Sequence, residues 1–352
     1  MIFYFILCTL VFCLSYAQSK SKDKYISLDI KVMLFLLMFL PAAFRVGIGT
    51  DYNTYVKIFN NLARGHESKT ELGWIVVNQI VYKNGLGVQW IFAISSFLTL
   101  IWLFLLDKDY FYMSIFVWFL YYYTNSFNAV RNAISISMFY YSYYLCVNDK
   151  RIKGFILIIL GSLFHNSALI YIPVYLFMCY IPISKKSTLI IAVLGYVMLR
   201  LFHLSQMIMD SSLITSTKYG AYVTLLKYNS TTQTSSGLGI LLRHFVLFLT
   251  YFLCSESKTS KKNFSAMSFL FLAVLFSDIL MTQIYIFSRL RTIFLVGYMA
   301  MYVHLFSWKS RNIWIELFKL FSLSHTLIFY FLYSIIENMN EVVPYASIFG
   351  VF

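Results

Sequence analysis

The chain has 352 residues, of which 60% are hydrophobic and only 12% are charged. Soluble globular proteins carry roughly 25% charged residues, so the composition excludes a water-soluble globule. The excess of 28 Lys and Arg over 14 Asp and Glu gives a formal charge of +14. In a membrane protein such an excess reflects the topology of the loops, so we expect no nucleic-acid partner.

The predicted fold is all-α, because long continuous apolar runs favour helices over the alternating strands of a membrane β-barrel. With about 20 residues per span and short connections, the length allows about 12 membrane segments. We predict a polytopic helical bundle that forms one transmembrane domain over residues 1–352. The apolar runs lie near 1–17, 29–44, 88–106, 110–124, 127–147, 154–166, 168–181, 188–205, 237–254, 264–283, 286–307 and 313–335.

The first apolar run has no preceding Lys or Arg, which favours a retained helix over a signal peptide. The cysteines lie within apolar runs and lack paired metal-ligand spacing, so we predict no metal site, no cofactor and no disulfide framework. They are Cys8, Cys13, Cys146, Cys179 and Cys254.

The stretch 154–181 decides the topology, because it is long for one helix and short for two. A single crossing would leave every later basic loop outside, whereas a short hairpin that turns near His165 places all basic loops on the cytoplasmic side. We favour the hairpin. It puts both termini outside and predicts two long outer, periplasmic loops near 45–87 and 206–236, the second of which is polar and rich in Ser and Thr.

Several arginines share one feature in this topology: they lie at the outer ends of predicted helices. Snorkelling to lipid headgroups accounts for any one of them. As a set, they indicate a large anion such as a phosphate or pyrophosphate, which guanidinium groups bind through two parallel hydrogen bonds. The set comprises Arg45, Arg131, Arg200, Arg243, Arg289 and Arg291.

The segment 41–59 contains two glycines that permit a tight turn between Arg45 and Asp51. Asp51 is a candidate to orient Arg45 or to accept a proton from a sugar hydroxyl, and Tyr52 and Tyr55 offer rings on which a sugar can stack. A plain surface turn is the alternative. Glu71 opens an amphipathic stretch, where a simple helix N-terminal carboxylate is also expected.

Polar residues also recur inside the fifth and tenth segments. Asn125, Asn128, Asn132 and Ser135 form a stripe beside Arg131, for which interhelical hydrogen bonding and substrate contact are equally good explanations. His165 is either structural or a general base near neutral pH. Asp278 is a candidate buried partner for an arginine.

The order of these motifs resembles a known family. The motifs are FRVGIGTDYNTYVKIF, ELGWIVVNQIV, AVRNAISISMFYYSYYL, LFHNSALIYIPVYLF, SSGLGILLRH, FSRLRTIFLVGYM and NEVVPYASIF. Together they resemble the EpsG branch of the Wzy-type polysaccharide polymerases, bacterial inner-membrane proteins of O-antigen, capsule and exopolysaccharide assembly. The resemblance runs from about Arg45 to Phe349, and its most specific parts are the R-x-G-x-G-x-D-Y and F-H-x-S-A-L blocks.

The resemblance implies a metal-independent glycosyltransferase that works at the periplasmic face. Its substrates would be oligosaccharide repeat units on undecaprenyl pyrophosphate, embedded among membrane lipids, and its partners a chain-length regulator and a flippase. It implies catalytic or acceptor-positioning roles for Arg45, Asp51, His165 and Arg289. It implies substrate binding by Tyr52, Glu71, Arg131, Arg243 and Arg291, with Arg289 also near the pyrophosphate.

Two other activities remain open at the level of sequence. A lipid-linked oligosaccharide flippase also has about twelve helices and a cationic cavity, but would have charges near the bilayer midplane and short loops on both sides. An O-antigen ligase would carry its catalytic histidine in a long outer loop of the later half, whereas His165 lies in an apolar block. The sugars, the linkage and the anomeric outcome are not encoded in any motif.

Overall fold

The computed structural model describes residues 1–202, 207, 211, 237–255, 260–284 and 287–351. The described chain is helical apart from a two-stranded antiparallel hairpin in which Ala346 lies opposite Val351. The helices are α1 (Ile2–Lys20), α2 (Lys24–Phe44), α3 (Tyr52–Ala63), α4 (Leu72–Lys83), α5 (Gln89–Phe104), α6 (Lys108–Trp118), α7 (Val130–Val147), α8 (Arg151–Ser162), α9 (Tyr171–Tyr180), α10 (Lys185–Leu201), α11 (Leu238–Leu253), α12 (Lys261–Gln283), α13 (Ser288–Phe294), α14 (Val296–Phe306) and α15 (Ile313–Phe329), followed by β1 (Ala346–Ser347) and β2 (Gly350–Val351).

Short irregular helices join or extend these elements. A π-helical turn (Phe119–Tyr123) and a 3₁₀ turn (Asn125–Phe127) lead from α6 to α7, and a second π-helical segment (Tyr330–Ile336) extends α15. A 3₁₀ turn (Asn166–Ile170) precedes α9, so the helical run is interrupted at His165, where the sequence predicts a turn. That residues 154–181 form a membrane hairpin stays a prediction. Local caps fix several helix starts. The Asp23 carboxylate, for example, accepts hydrogen bonds from the backbone N–H groups of Tyr25 and Ile26.

Among the residues that the structure describes, four helical stretches are long and apolar enough to cross a membrane. They are Ile2–Lys20, Lys24–Phe44, Lys261–Gln283 and Ile313–Ile336. This arrangement fits a helical membrane protein. The count of about twelve spans stays a prediction, although the helices follow the predicted apolar segments closely.

Contacts divide the chain into two compact units. The first contains Met1–Cys179 together with Leu323–Phe352, and the second contains Tyr180–Ser322. In the first unit α7 packs on α5 and α8, and α2 packs on α1 and α5; in the second, α12 packs on α10, α13 and α14. A single transmembrane domain over 1–352 stays a prediction.

The predicted outer loop 45–87 has its own folded structure. Its helices α3 and α4 pack on each other and bury Tyr55 and Trp74 against Phe92 and Val130, which belong to α5 and α7. Any polar group on α3 or α4 is therefore held at a fixed place relative to α7. The second predicted loop, 206–236, lies outside the described residues except for Met207 and Ser211.

The C-terminal segment 338–351 closes onto the turn that follows α2. The Val46 N–H donates to the Ala346 carbonyl at 3.0 Å, and the Gly49 N–H donates to the Glu341 carbonyl at 3.1 Å. Arg45 also forms an isolated antiparallel bridge with Ser347. These backbone bonds join two segments that lie about 300 residues apart in the sequence.

Candidate active site

Two side chains from distant parts of the first unit meet the carboxylate of a third. The Glu71 carboxylate, at the N-terminal end of α4, accepts a hydrogen bond from Nη1 of Arg131 in the first turn of α7. His165 Nδ1 lies 3.6 Å from Oε1 of Glu71, and the same oxygen accepts from the Asn166 N–H at 3.3 Å. The Glu71 side chain is 7% exposed, whereas those of Arg131 and His165 are 23% and 29% exposed. The carboxylate is thus the covered centre of a group whose cationic members reach solvent.

The electrostatics of this group keep Glu71 ionised. Burial by itself would raise the pKa of its carboxyl, but His165 and the Arg131 guanidinium outweigh burial and lower the pKa from 4.5 to about 2. A carboxylate with so low a pKa is a poor proton acceptor near neutral pH. The carboxylate is instead suited to pair with Arg131, and it lies beside the imidazole of His165.

A glycine allows the two parts of this site to approach each other. The Gly73 N–H donates to the Leu163 carbonyl at 2.7 Å, which ties the start of α4 to the turn before His165. A Cβ atom on Gly73 would lie 2.8 Å from that carbonyl oxygen. Glycine at this position therefore lets Glu71 approach the turn between α8 and α9.

Tyr55 connects α3 to the same site. Its hydroxyl donates to the Asn128 carbonyl at 3.0 Å, and the Arg131 side chain lies beside it. Its ring packs edge-on against Trp74 with centroids 5.3 Å apart. Burial raises the pKa of the Tyr55 phenol above 10, so the hydroxyl stays protonated and acts as a hydrogen-bond donor.

Arg45 lies apart from this group, and its side chain is almost completely buried. It is 1% exposed, donates to the carbonyls of Ala42 and Phe127, and lies over the rings of Phe92 and Phe127. Arg45 also lines a small cavity together with Ser96 and Trp118. This environment favours a role in holding the turn after α2 over direct contact with a substrate.

Asp51 and Tyr52 occupy the beginning of α3 and differ in exposure. Asp51 is exposed, and it lies one helical turn before Tyr55. Tyr52 is 8% exposed and its ring stacks on Phe92, with centroids 4.8 Å apart. That ring face is therefore occupied by a neighbour, whereas the Asp51 carboxylate is open to solvent.

A second carboxylate-centred group lies in the second unit. Asp278, on α12, accepts from Nε of Arg243 at 2.8 Å and from Nε of Arg291. His244 Nε2 lies 2.7 Å from Oδ2 of the same aspartate. The expectation that Asp278 partners an arginine is confirmed, and it partners two. Both arginines bond to Asp278 through Nε.

The acid of this second group is shared by two arginines. The Asp278 carboxylate bonds to both guanidinium groups, and the side chains of Asp278, Arg243 and Arg291 are 3%, 16% and 22% exposed. A buried polar donor is costly unless a partner satisfies it. Within the described part of the chain, Arg243 Nη2 is buried without a hydrogen-bond partner. The group is therefore suited to bind an anion.

The remaining predicted site residue, Arg289, is exposed on α13, two residues before Arg291. Sequence analysis did not name His244, which could have been found, since it is an ionisable residue inside a predicted span. It named Tyr55 only as a ring on which a sugar can stack, whereas the structure packs that ring against Trp74.

Among the described residues, no group of three or more His, Cys, Asp or Glu side chains is placed to hold a metal ion. No curated protein and no solved structure matches the chain. The model of the EpsG family matches residues 30–347, nearly the whole chain, and members of that family are Wzy-type polymerases. The chain therefore belongs to the EpsG family.

Proposed function

We propose that the protein is a bacterial polysaccharide polymerase that transfers a glycan between two lipid-linked substrates. The family supports polysaccharide polymerisation in general terms. The observation that carries the specific proposal is the ionised Glu71 held between Arg131 and His165. Donor and acceptor in this proposal are oligosaccharide repeat units on undecaprenyl pyrophosphate.

His165 is the general base of the proposed reaction. Glu71 faces Nδ1 of the imidazole, which favours the tautomer with its proton on Nδ1 and leaves the Nε2 lone pair available. Nε2 takes the proton of the acceptor hydroxyl while that oxygen bonds to the anomeric carbon of the donor. The electrons of the broken glycosyl–oxygen bond stay on the departing pyrophosphate.

Arginines stabilise the charge that develops on the leaving pyrophosphate. Arg131 presents a guanidinium that Glu71 already orients, so little reorganisation is needed when charge appears. Arg243 and Arg291 hold a pyrophosphate in the second unit, where Asp278 fixes their Nε edges. Arg289, which is exposed, contributes charge to substrate bound at the second unit. Asp51, also exposed, contributes a hydrogen-bond acceptor at the first unit, where Arg45 and Tyr52 support the turn that presents it.

We place the protein in the bacterial inner membrane with its active site facing the periplasm. The predicted topology supports this side, because it assigns the basic loops to the cytoplasm. A chain-length regulator and a flippase are the partners that such a polymerase would use. The reaction would join units of O-antigen, capsule or exopolysaccharide.

The test uses a strain that lacks the gene, complemented with the wild type or with His165→Ala, Arg131→Ala or Glu71→Gln. Surface glycan length is measured on a gel after each variant is shown to reach the membrane. Glu67→Gln is the matched control, since Glu67 is an exposed acid of the same segment. We expect long chains with the wild type and the control, and single exported units with the other variants.

Other outcomes would identify another activity. Repeat units that accumulate on the cytoplasmic side would identify a flippase. Long chains that stay on the lipid carrier would identify a ligase. If every variant makes long chains, polymerisation does not depend on the Glu71 site.

A further inference from the structure

We propose that Asn340, in the C-terminal segment, is a positioning residue for Arg131 and acts through Asn128 and Tyr55. The catalytic consequence rests on the function proposed above, whereas the positioning itself is a property of the fold. The proposal assigns a role in the site to a residue 209 positions away from Arg131 in the sequence.

The first link joins the C-terminal segment to the start of α7. Asn128 Nδ2 donates to Oδ1 of Asn340 at 3.0 Å and to its backbone carbonyl at 3.3 Å. Asn128 lies two residues before the first residue of α7 and three before Arg131. A side chain that fixes Asn128 therefore fixes where the helix begins and in which direction Arg131 points.

The second link joins Asn128 to both partners of the Glu71 ion pair. The Asn128 carbonyl accepts from the Tyr55 hydroxyl at 3.0 Å, and Arg131 lies beside that hydroxyl. The Tyr55 ring packs on Trp74, which belongs to α4, the helix that begins after Glu71. Tyr55 thus contacts the arginine side and the glutamate side of the pair together.

The third observation is that Asn340 is held firmly itself. The Asn338 side chain accepts from the N–H groups of Val342 and Val343 at 2.8 and 2.9 Å, which closes the turn around Asn340. The Gly49 N–H bonds to the Glu341 carbonyl, and the Tyr4 hydroxyl donates to the Val342 carbonyl. A turn held by these hydrogen bonds can fix the position of Asn128, whereas a mobile segment could not.

The chemical nature of these contacts also indicates that they set an orientation, because they are hydrogen bonds between amides and a phenol. An apolar contact would hold the segment in place, but its energy depends little on angle. Hydrogen bonds weaken steeply as their angles depart from linearity, so a connected set specifies one arrangement. This property is what a catalytic arginine requires, because misplacement by about 1 Å can reduce the rate about 100-fold.

The test is a double-mutant cycle between Tyr55→Phe and Asn340→Leu in membranes supplied with the lipid-linked repeat unit. Tyr55→Phe removes the hydroxyl of the second link, and Asn340→Leu removes the side-chain acceptor of the first link but leaves its backbone carbonyl. Both changes keep most of the side-chain volume. We expect each to lower the initial polymerisation rate about fivefold to tenfold, and the double variant to be no slower than the slower single variant. Asn340→Asp keeps the acceptor oxygen for Asn128 and should restore most of the rate. Ser347→Ala is the control, because the Ser347 hydroxyl bonds to Gly350 and Phe349 within its own β-hairpin.

A second readout does not depend on activity. The change in thermal unfolding midpoint caused by Glu71→Gln is measured in the wild-type and in the Asn340→Leu background. If Asn340 positions Arg131 against Glu71, the change should shrink by about half in the second background. Equal changes in both backgrounds, or rates in the double variant that multiply the two single effects, would overturn the proposal. Absence of polymerisation by the wild type would overturn the proposed function alone, because the stability cycle would still decide the positioning.

Discussion

Replacing Glu71 with glutamine removes the charge of the site carboxylate and keeps its shape. Arg131 then loses its counter-ion, and His165 loses the group that faces its Nδ1. The pKa of Glu71 falls from 4.5 to about 2 in the folded protein. At about 1.36 kcal/mol per pKa unit, and with screening at the partly exposed Arg131, this corresponds to roughly 2 to 3 kcal/mol of stability.

The same pKa gives the sign of the pH dependence. A carboxyl whose pKa is lower in the folded state contributes its full stabilisation above its unfolded pKa, near 4.5. That contribution is lost as the pH falls from about 4.5 to about 2. Glu71→Gln should lower the unfolding free energy at pH 7 and flatten the acid dependence in this window.

The assay combines thermal unfolding of the detergent-solubilised protein at pH 7 and at pH 3 with polymerisation of the lipid-linked unit in membranes. We expect a midpoint several degrees lower at pH 7, a smaller difference at pH 3, and a polymerisation rate about 100-fold lower. Glu67→Gln should change none of these. A Glu71→Gln protein with the wild-type midpoint and rate would refute the assignment of Glu71 as the centre of the site.

Three further predictions test other contacts. Asp278→Asn should destabilise the second unit by about 3 to 5 kcal/mol, because it leaves Arg243 and Arg291 without their shared carboxylate; a thermal midpoint within one degree of wild type would contradict this. Gly49→Ala should cost more stability than Gly47→Ala, since both have positive φ but only a Cβ on Gly49 would lie 2.5 Å from Asn128 Oδ1; equal losses in thermal unfolding would disprove the clash. Gly73→Ala should shorten the glycan, with a smaller relative effect on thermal stability, because the added Cβ would push α4 away from the Leu163 carbonyl. An unchanged glycan length would count against this close approach.

Much of the helical architecture is predictable from sequence because its causes are local. Apolar runs bounded by charged or capping residues set the helix ends, as with Asp23 before α2 and Ser260 before α12. The turn at His165 follows from a stretch too short for two full spans and too long for one. Asp278 was recognised as a partner for arginine because a buried acid requires one.

The membership of the site was harder to predict, because its residues come from distant segments. Glu71 lies 60 residues from Arg131 and 95 from Asn166, and no spacing rule connects them. The sequence marked the arginines as one class, but burial separates them. Arg45 is enclosed by carbonyls and aromatic rings, whereas Arg131 and Arg291 face carboxylates and remain partly exposed.

The sequence by itself determined that this is a helical membrane protein of the EpsG family, and it marked a set of arginines as candidate site residues. Composition, periodicity and ordered motifs carry that information, because each depends on residues close together in the chain. Only the tertiary structure decided which cation meets which carboxylate and that Asn340 bonds to the start of α7. Such pairings depend on how helices pack, and packing is set by the shapes of many side chains at once.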